Sequence, residues 1–140
     1  MSLFVVDASV VIKWFVHEIH AADAYRLLTP EHDFVAPDLL FAEMASILCK
    51  KTRNGDLSER EATQVLDDLR SSSLPTVPCR ELASAAYSLS IATGRSAYDS
   101  MYLALAIRLD TRLITADAKF FNAINPLPLL APHISFIADS

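Results

Sequence analysis

Residues 4–15 read FVVDASVVIKWF, and this stretch decides the fold. The first three residues are apolar and Asp7 follows them, which is typical of a short strand buried on both faces. From Val10 to Phe15 the apolar residues recur at helical spacing. The pattern therefore predicts a buried strand, a carboxylate at its carboxyl end and a helix that begins directly afterwards.

The same alternation of strands and helices continues along the chain. Strands are predicted at 34–36 and 112–115, with an edge strand at 75–78 and weak strands around 129–130 and 135–137. Helices are predicted at 21–28, 38–52, 59–69, 82–92 and 98–109, and a short one begins at Asp117. Strands that alternate with helices form parallel βαβ units, so the class is α/β, with one domain over residues 1–140.

Local signals mark where these helices begin and end. Pro37 suits the first turn of a helix, because its missing N–H needs no partner there. Gly55 and Gly94 are stop signals. Ser58 and Glu61 have the spacing of a capping box. These signals fix which residues fall at the ends of the elements.

The composition excludes several classes of protein. The chain has 140 residues, of which 52% are hydrophobic and 21% charged, so it is neither disordered nor a coiled coil. Its two glycines lie far apart, which excludes a Walker A loop and a dinucleotide-binding glycine motif. No apolar run approaches the roughly 18 residues that span a bilayer, and the N-terminus lacks the basic region of a signal peptide. We therefore expect a cytoplasmic protein that does not enter a membrane.

The two cysteines point to the same compartment. Cys49 and Cys79 form no C-x-x-C pair, so we expect two reduced thiols. A single disulfide and a catalytic thiol are the alternatives.

Acidic residues stand where an α/β sheet binds ligands, beyond the carboxyl ends of its strands. Asp7 follows the first strand, Asp117 follows the strand at 112–115, and Asp99 opens a helix after Gly94. Each of these aspartates has a second interpretation as a helix N-cap, a position that favours aspartate by itself. Position alone leaves a ligand site and a capping role both open.

Glu43 is the acid that capping does not explain. It lies in the second turn of a predicted helix, inside the apolar segment 39–45, with no Lys or Arg within one helical turn. A solvated helix position is one interpretation. In apolar surroundings, however, a carboxylate needs a partner charge, and a bound cation supplies one.

The four acids together favour a site for a hard divalent cation. Converging carboxylates repel one another, and Mg²⁺ or Mn²⁺, which prefer oxygen ligands and retain several waters, relieve that repulsion. Ser9 and Thr115 lie two residues from Asp7 and Asp117. Their hydroxyls are candidates to hold a metal-bound or attacking water.

These segments resemble a known family. Residues 7–9 (DAS), Glu43, residues 98–106 (YDSMYLALA) and residues 113–120 (LITADAKF) are similar to the motifs of PIN domains, and more narrowly of VapC-type ribonuclease toxins from bacterial type II toxin–antitoxin pairs. The resemblance covers nearly the whole chain and rests on four acids in order.

The resemblance implies a three-layer α/β/α sandwich around a mostly parallel sheet. It implies Mg²⁺- or Mn²⁺-dependent hydrolysis of RNA, with Asp7, Asp99 and Asp117 as metal ligands and Glu43 as a ligand or as the residue that aligns the attacking water. It also implies a homodimer and a small antitoxin that covers the acidic cleft, often with an arginine side chain. We expect the helices around 40–48 and 65–69 to expose an apolar groove for that partner.

Taken alone, the net charge of −5 argues against a nucleic-acid partner. The argument weakens once the four acids of the predicted site are counted separately. The net charge arises from 12 Lys and Arg against 17 Asp and Glu, and setting the four site acids aside leaves 13 acids against 12 bases. Lys50 lies seven residues after Glu43 on the same helix face, and Arg95 precedes Asp99 in the glycine loop. Both are candidates for contact with an RNA phosphate. For Lys50, stabilisation of the helix C-terminus is the alternative.

Two other functions remain open. An aspartate-based phosphohydrolase needs a D-x-D pair after the first strand, and Ser9 replaces its second aspartate. A non-catalytic PIN-like module that binds RNA or protein needs none of the four acids, so their retention favours the nuclease. Zinc is not expected at His17 and His20, because their i,i+3 spacing is one residue short of the H-E-x-x-H motif.

Overall fold

The computed structural model describes residues 2–140 and contains a five-stranded sheet in the order β3-β2-β1-β4-β5. The strands are β1 (Ser2–Val6), β2 (His32–Pro37), β3 (Thr76–Val77), β4 (Leu113–Thr115) and β5 (Ile134–Phe136). Every pairing between neighbours is parallel. The predicted α/β class is confirmed, and the edge strand expected at 75–78 is β3.

Helices connect the strands. They are α1 (Ala8–Phe15), α2 (Ala21–Arg26), α3 (Leu39–Arg53), α4 (Glu59–Ser71), α5 (Cys79–Thr93), α6 (Ala97–Arg108) and α7 (Ala118–Ile124). Short 3₁₀ turns follow at Ala131–His133 and Ile137–Asp139. Within residues 2–140, no helix has the length and apolar character needed to cross a membrane.

Burial of the central strand shows that helices cover both faces of the sheet. Successive residues of a strand point to opposite faces, and the neighbours Val5 and Val6 are both fully buried. The helix α6 lies against β1, β2 and β4 and packs along α5, while α1, α3 and α7 also contact the sheet. The result is the three-layer α/β/α sandwich that the resemblance to PIN domains implies.

The order of the strands determines where a ligand can bind. The chain starts at the centre of the sheet in β1, runs outward through β2 and β3, and then crosses to β4 and β5 on the other side. The connections therefore diverge between β1 and β4, and such a switch point opens a crevice at the carboxyl ends of the strands. Asp7 follows β1 directly, and Asp117 follows β4 after one intervening residue.

Most of the predicted helix boundaries hold. Ser58 accepts a hydrogen bond from the Glu61 amide and Glu61 accepts one from the Ser58 amide, so the capping box is present. Gly94 ends α5 in the left-handed conformation, with φ of 77°. Cys49 and Cys79 are both free thiols in the described chain.

Three sequence predictions are wrong. Pro37 is the last residue of β2 rather than the first turn of α3, because the chain stays extended to pair with Val77 of β3. No strand forms at 129–130; Leu127 instead accepts turn hydrogen bonds from Leu130 and Ala131, where nearby prolines restrict the backbone.

The third concerns the apolar groove expected on the helices around 40–48 and 65–69. Most of their apolar side chains face the core, and five are buried: Leu40, Met44, Leu48, Val65 and Leu69. The helical spacing that suggested a groove marks the inward faces of α3 and α4. Phe41 is the large apolar side chain of these two segments that is exposed; others lie elsewhere, and include Ile19, Tyr87, Ile91, Tyr98 and Leu129.

Candidate active site

The four predicted acids line a single cleft at the switch point. Asp7, Glu43, Asp99 and Asp117 surround a cavity of about 260 Å³ together with Ser9 and other neighbours. They come from four separate parts of the chain: the end of β1, the second turn of α3, the first turn of α6 and the start of α7. The fold therefore brings together the residues that the sequence predicts.

Asp7 is the buried member of the group. Its carboxylate accepts hydrogen bonds from the Ser9 hydroxyl at 2.5 Å and from the Thr115 hydroxyl at 2.6 Å, and only 7% of the residue is exposed. Burial raises the pKa of Asp7 to about 6, against the opposing effect of the hydrogen bonds from Ser9 and Thr115, and the negative charge of Asp99 adds to the rise. The helix α1 begins on the backbone carbonyl of Asp7, which leaves its side chain to the cleft.

Asp117 caps α7 and also lines the acidic cleft. One carboxylate oxygen accepts a hydrogen bond from the Phe120 amide at 3.1 Å and so caps α7. The other oxygen lies 3.8 Å from the guanidinium of Arg95. The amide of Asp117 donates to the Thr115 hydroxyl, which ties this turn to the Asp7 side.

Asp99 is not a helix cap. Ser96 caps α6 by accepting a hydrogen bond from the Asp99 amide at 3.0 Å. The Asp99 carboxylate is thus left to the cleft, where it lies 2.8 Å from the Arg95 guanidinium. The capping interpretation of this residue is wrong because a serine three residues earlier fills that position.

Glu43 faces the cleft beside a buried tyrosine. Partial burial raises the pKa of Glu43; the nearby Tyr102 hydroxyl opposes the rise and the charge of Asp99 adds to it. Tyr102 is 1% exposed, and its hydroxyl makes no hydrogen bond to any of residues 2–140. Burial is also the main cause that raises the pKa of Tyr102, and the charge of Glu43 contributes.

Sequence reasoning missed Tyr102 as a residue of the site. A signal was present, because Tyr102 lies three residues after Asp99 and side chains at this spacing share a helix face. The apolar neighbours of Tyr102 favoured a core position, and the structure shows that it is both buried and part of the cleft wall.

Arg95 lies among the acids rather than on an open surface. Its guanidinium pairs with Asp99 at 2.8 Å and approaches Asp117 at 3.8 Å, and it lies 5.3 Å from the centre of the Phe120 ring. The i,i+4 spacing of Arg95 and Asp99 was visible in the sequence. The arginine proposed as a phosphate ligand is here the counter-ion of two site carboxylates.

Lys50 lies in a neighbouring cavity of about 380 Å³ that shares Ser9, Ser46 and Ile47 with the acidic cleft. It is exposed, and it makes no ion pair within residues 2–140. The two cavities form one continuous surface that leads from the acids toward the end of α3.

The segment 17–20 contributes Glu18 to two ion pairs. Glu18 lies 2.7 Å from the Lys13 ammonium and 2.8 Å from the Lys51 ammonium, which joins α1 to α3. Partial burial alone would raise the pKa of Glu18, but the hydrogen bonds and charges of the two lysines outweigh it and lower the pKa.

The donor set suits a hard divalent cation. The cleft offers four carboxylates and the Ser9 hydroxyl, all oxygen ligands of the kind that Mg²⁺ and Mn²⁺ prefer. A cationic group, the Arg95 guanidinium, already lies between two of the carboxylates. In the described part of the chain, no three His, Cys, Asp or Glu side chains lie close enough together to hold a metal ion without rearrangement. The types of ligand therefore suit Mg²⁺ or Mn²⁺, whereas their present arrangement is one in which Arg95 pairs with two of the carboxylates.

Known proteins are similar to this chain in sequence and in fold. The family model described as PIN domain matches residues 4–125. Ribonuclease VapC3 of Pyrobaculum aerophilum is 32% identical over 117 residues, which make up 82% of this chain and 89% of that protein. Among solved structures, Mycobacterium tuberculosis VapC20, titled a Sarcin-Ricin loop cleaving toxin, has a TM-score of 0.67 at 16% identity, covering 86% of this chain and 94% of that one. Rickettsia felis VapBC2, bound to a DNA fragment from its promoter, has a TM-score of 0.62 at 15% identity, covering 96% and 98%. At such identities the solved structures establish the fold.

Proposed function

This chain belongs to the PIN domain family, and from that membership together with the four-acid cleft we propose that it is an endoribonuclease that hydrolyses RNA phosphodiester bonds. The observation that carries the proposal is the convergence of Asp7, Glu43, Asp99 and Asp117 at the switch point of the sheet. The relative named a ribonuclease and the structural neighbour titled a cleaving toxin support the same activity.

We propose Mg²⁺ or Mn²⁺ as the cofactor, with Asp7, Asp99 and Asp117 as ligands. When bound, such an ion supplies a water of lowered pKa and positive charge next to the phosphate. Ser9 and Thr115 hold the Asp7 carboxylate in one orientation through their two hydrogen bonds. Positioned ligands of this kind reduce the rearrangement that the reaction requires.

Glu43 is the residue that we assign to the attacking water, either directly or as a further ligand. Its raised pKa makes it a better proton acceptor than a fully solvated glutamate. In the hydrolysis, the water oxygen forms a bond to phosphorus and the bond from phosphorus to the leaving ribose oxygen breaks. Glu43 takes up the proton lost by the water, and the leaving oxygen takes a proton from solvent.

The aspartate-based phosphohydrolase is the weaker alternative. Its D-x-D pattern requires a second aspartate two residues after Asp7, and Ser9 occupies that position. In the structure the Ser9 hydroxyl instead donates a hydrogen bond to the Asp7 carboxylate. The remaining alternative, a non-catalytic module that binds RNA or protein, is decided by the activity assay below.

We further propose that the protein is the toxin of a toxin–antitoxin pair and acts in the cytoplasm as a homodimer. The fold is shared with a VapBC assembly, and the free thiols at Cys49 and Cys79 agree with a reducing compartment. A small antitoxin that covers the acidic cleft would meet exposed apolar side chains such as Tyr98, the neighbour of Asp99. Light scattering tests the dimer, and growth arrest on expression of the wild type but not of Asp99→Asn tests the toxin.

A chelator-controlled nuclease assay tests the activity itself. We expect the purified protein to cleave RNA with Mn²⁺ and to be inactive in EDTA, because the acids alone lack the positive charge that the phosphate requires. The Asp99→Asn protein, purified in the same way, controls for a contaminating nuclease. Cleavage that persists in EDTA would contradict the metal assignment, and intact RNA with Mn²⁺ would favour the non-catalytic module.

A further inference from the structure

The Arg95 guanidinium sits where a bound cation would be needed. It lies 2.8 Å from Asp99 and 3.8 Å from Asp117, two of the three carboxylates assigned as metal ligands. Asp99, Asp117 and Arg95 are each less than half exposed, so this ion pair is shielded in part from solvent. Solvent and salt therefore weaken this ion pair less than they weaken a salt bridge on an open surface.

The loop before α6 holds Arg95 in this position. Gly94 adopts the left-handed conformation that turns the chain at the end of α5. The Ser90 hydroxyl then donates to the Arg95 carbonyl at 2.6 Å, and the Arg95 amide donates to the Thr93 hydroxyl at 3.2 Å. Because the backbone is fixed on both sides of the residue, the side chain is directed at the acids by the fold.

The packing of the side chain favours this position over solvent. The guanidinium lies 5.3 Å from the centre of the Phe120 ring, a distance at which a cation is attracted to an aromatic face. The Nε atom is buried and has no hydrogen-bond partner among residues 2–140. An unpartnered buried donor is unfavourable, so attraction to the carboxylates and the ring must outweigh that cost.

We propose that Arg95 is a resident counter-ion that competes with the divalent cation for Asp99 and Asp117. In the metal-free protein it neutralises part of the charge of the four acids. Before Asp99 and Asp117 can both ligate an ion, the guanidinium has to move away, since a divalent cation and a guanidinium within a few ångströms repel each other. The inference rests on the proposed metal site and adds that the chain itself sets how tightly that site binds.

Metal affinity is the direct test, and it needs no RNA. Mn²⁺ is titrated into the metal-free wild type and into Arg95→Gln, with free Mn²⁺ measured by electron paramagnetic resonance. We expect Arg95→Gln to lower the Kd for Mn²⁺ by at least about tenfold, because the competing charge is gone. Without metal the variant should melt at a lower temperature than wild type, and Mn²⁺ should raise its Tm by more.

Arg108→Gln is the matched control. It makes the same change of charge on the helix that carries Asp99, but Arg108 pairs with Glu81 at 3.0 Å, and neither residue lines the acidic cleft. We expect its Kd for Mn²⁺ to stay within about twofold of wild type, which isolates the local effect from the change in net charge. Arg95→Lys keeps a charge without the planar guanidinium and should bind Mn²⁺ with intermediate affinity; it also serves if Arg95→Gln does not fold.

Unchanged or weaker Mn²⁺ binding by Arg95→Gln would overturn the inference and make Arg95 a residue that positions the ligands. Absence of Mn²⁺ binding to both wild type and Arg95→Gln would overturn it as well. Failure of the proposed function looks different: tighter Mn²⁺ binding by Arg95→Gln together with intact RNA would uphold the competition and remove the nuclease.

Discussion

The Thr115 hydroxyl donates to the buried carboxylate of Asp7 at 2.6 Å and so joins the carboxyl ends of β4 and β1. The bond crosses the switch point of the sheet, where the chain's connections diverge. It satisfies one oxygen of a carboxylate that has almost no contact with solvent, while Ser9 satisfies the other. The geometry of Asp7 is therefore set by the two strands before any ligand binds.

Replacing Thr115 by Val tests that bond. Valine has nearly the same shape but lacks the hydroxyl, so one oxygen of the buried Asp7 carboxylate loses its donor and the Asp117 amide loses its acceptor. We expect the free energy of unfolding at pH 7 to fall by about 1–3 kcal/mol, the cost of an unpaired buried polar group. Urea denaturation in EDTA measures it. Thr52→Val is the control, because the Thr52 hydroxyl bonds only to the Leu48 carbonyl of its own helix, and a loss of the same size there would refute the special role of Thr115.

Replacing Asp99 by Asn tests the metal ligand assignment. The variant keeps the shape of the side chain but removes a charge from the cleft, and we expect RNA cleavage to fall by at least about a hundredfold. Ser96, not Asp99, caps α6, so loss of a cap cannot account for such a fall. Full activity of the variant would remove Asp99 from the site.

The same variant shows where sequence reasoning reaches its limit. Four converging carboxylates suggest that removing one charge stabilises the metal-free protein. The structure pairs Asp99 with Arg95 at 2.8 Å, so the variant loses an ion pair and we expect metal-free stability to stay level or fall by up to about 1 kcal/mol. Thermal melts in EDTA distinguish the two expectations.

Other elements show why some predictions succeed and others do not. The pattern FVVD at 4–7 and the capping box at Ser58 and Glu61 are local signals, and both predict what the structure contains. The convergence of the four acids could be predicted because parallel strands end at one edge of the sheet. These acids are Asp7, Glu43, Asp99 and Asp117. The approach of Arg95 to Asp117 and the position of Tyr102 in the cleft wall depend on how α6 packs on the sheet, which no local pattern specifies.

The lowered pKa of Glu18 leads to a prediction of how the free energy of unfolding depends on pH. Its pKa is lowered in the folded protein, against the effect of partial burial, by Lys13 and Lys51. A carboxylate with a lowered pKa contributes stability above its unfolded pKa of 4.5, and that contribution is lost as the pH falls through the lower, folded value. Glu18→Gln should therefore be less stable than wild type at pH 7, by about 1 kcal/mol after solvent screening, and the difference should shrink below pH 4 or so.

Urea denaturation of wild type and Glu18→Gln at several pH values measures this difference. Asp67→Asn is the control, since Asp67 pairs with Arg70 at 3.4 Å on an exposed face of α4 and should change stability little. A difference between Glu18→Gln and wild type that persists undiminished at pH 3 would contradict the ionic origin.

Tyr102→Phe separates a structural from a functional role of the tyrosine. The buried hydroxyl has no hydrogen-bond partner within residues 2–140, so its removal should leave stability level or raise it by about 1 kcal/mol. It also lies beside Glu43 at the wall of the cleft. Because Tyr102 lowers the pKa of Glu43, removal of the hydroxyl should raise that pKa and shift the acidic limb of the pH–rate profile to higher pH, while RNA affinity is unchanged. Tyr87→Phe, at an exposed position of α5, is the control.

Replacing Lys50 tests whether RNA binds along the surface that leads from the acids toward the end of α3. The cavity that Lys50 lines adjoins the acidic cleft through Ser9, Ser46 and Ile47, and a lysine on a phosphate releases a counter-ion when RNA binds. Lys50→Ala, in an Asp99→Asn background that prevents cleavage, should weaken binding of every RNA sequence and reduce the slope of log K against log salt by about 0.7. Arg60→Ala on the exposed face of α4 should leave the slope unchanged. The competing interpretation, in which Lys50 only stabilises the C-terminal end of α3, predicts the opposite pair of results: a loss of stability of about 0.5 kcal/mol and an unaltered salt slope.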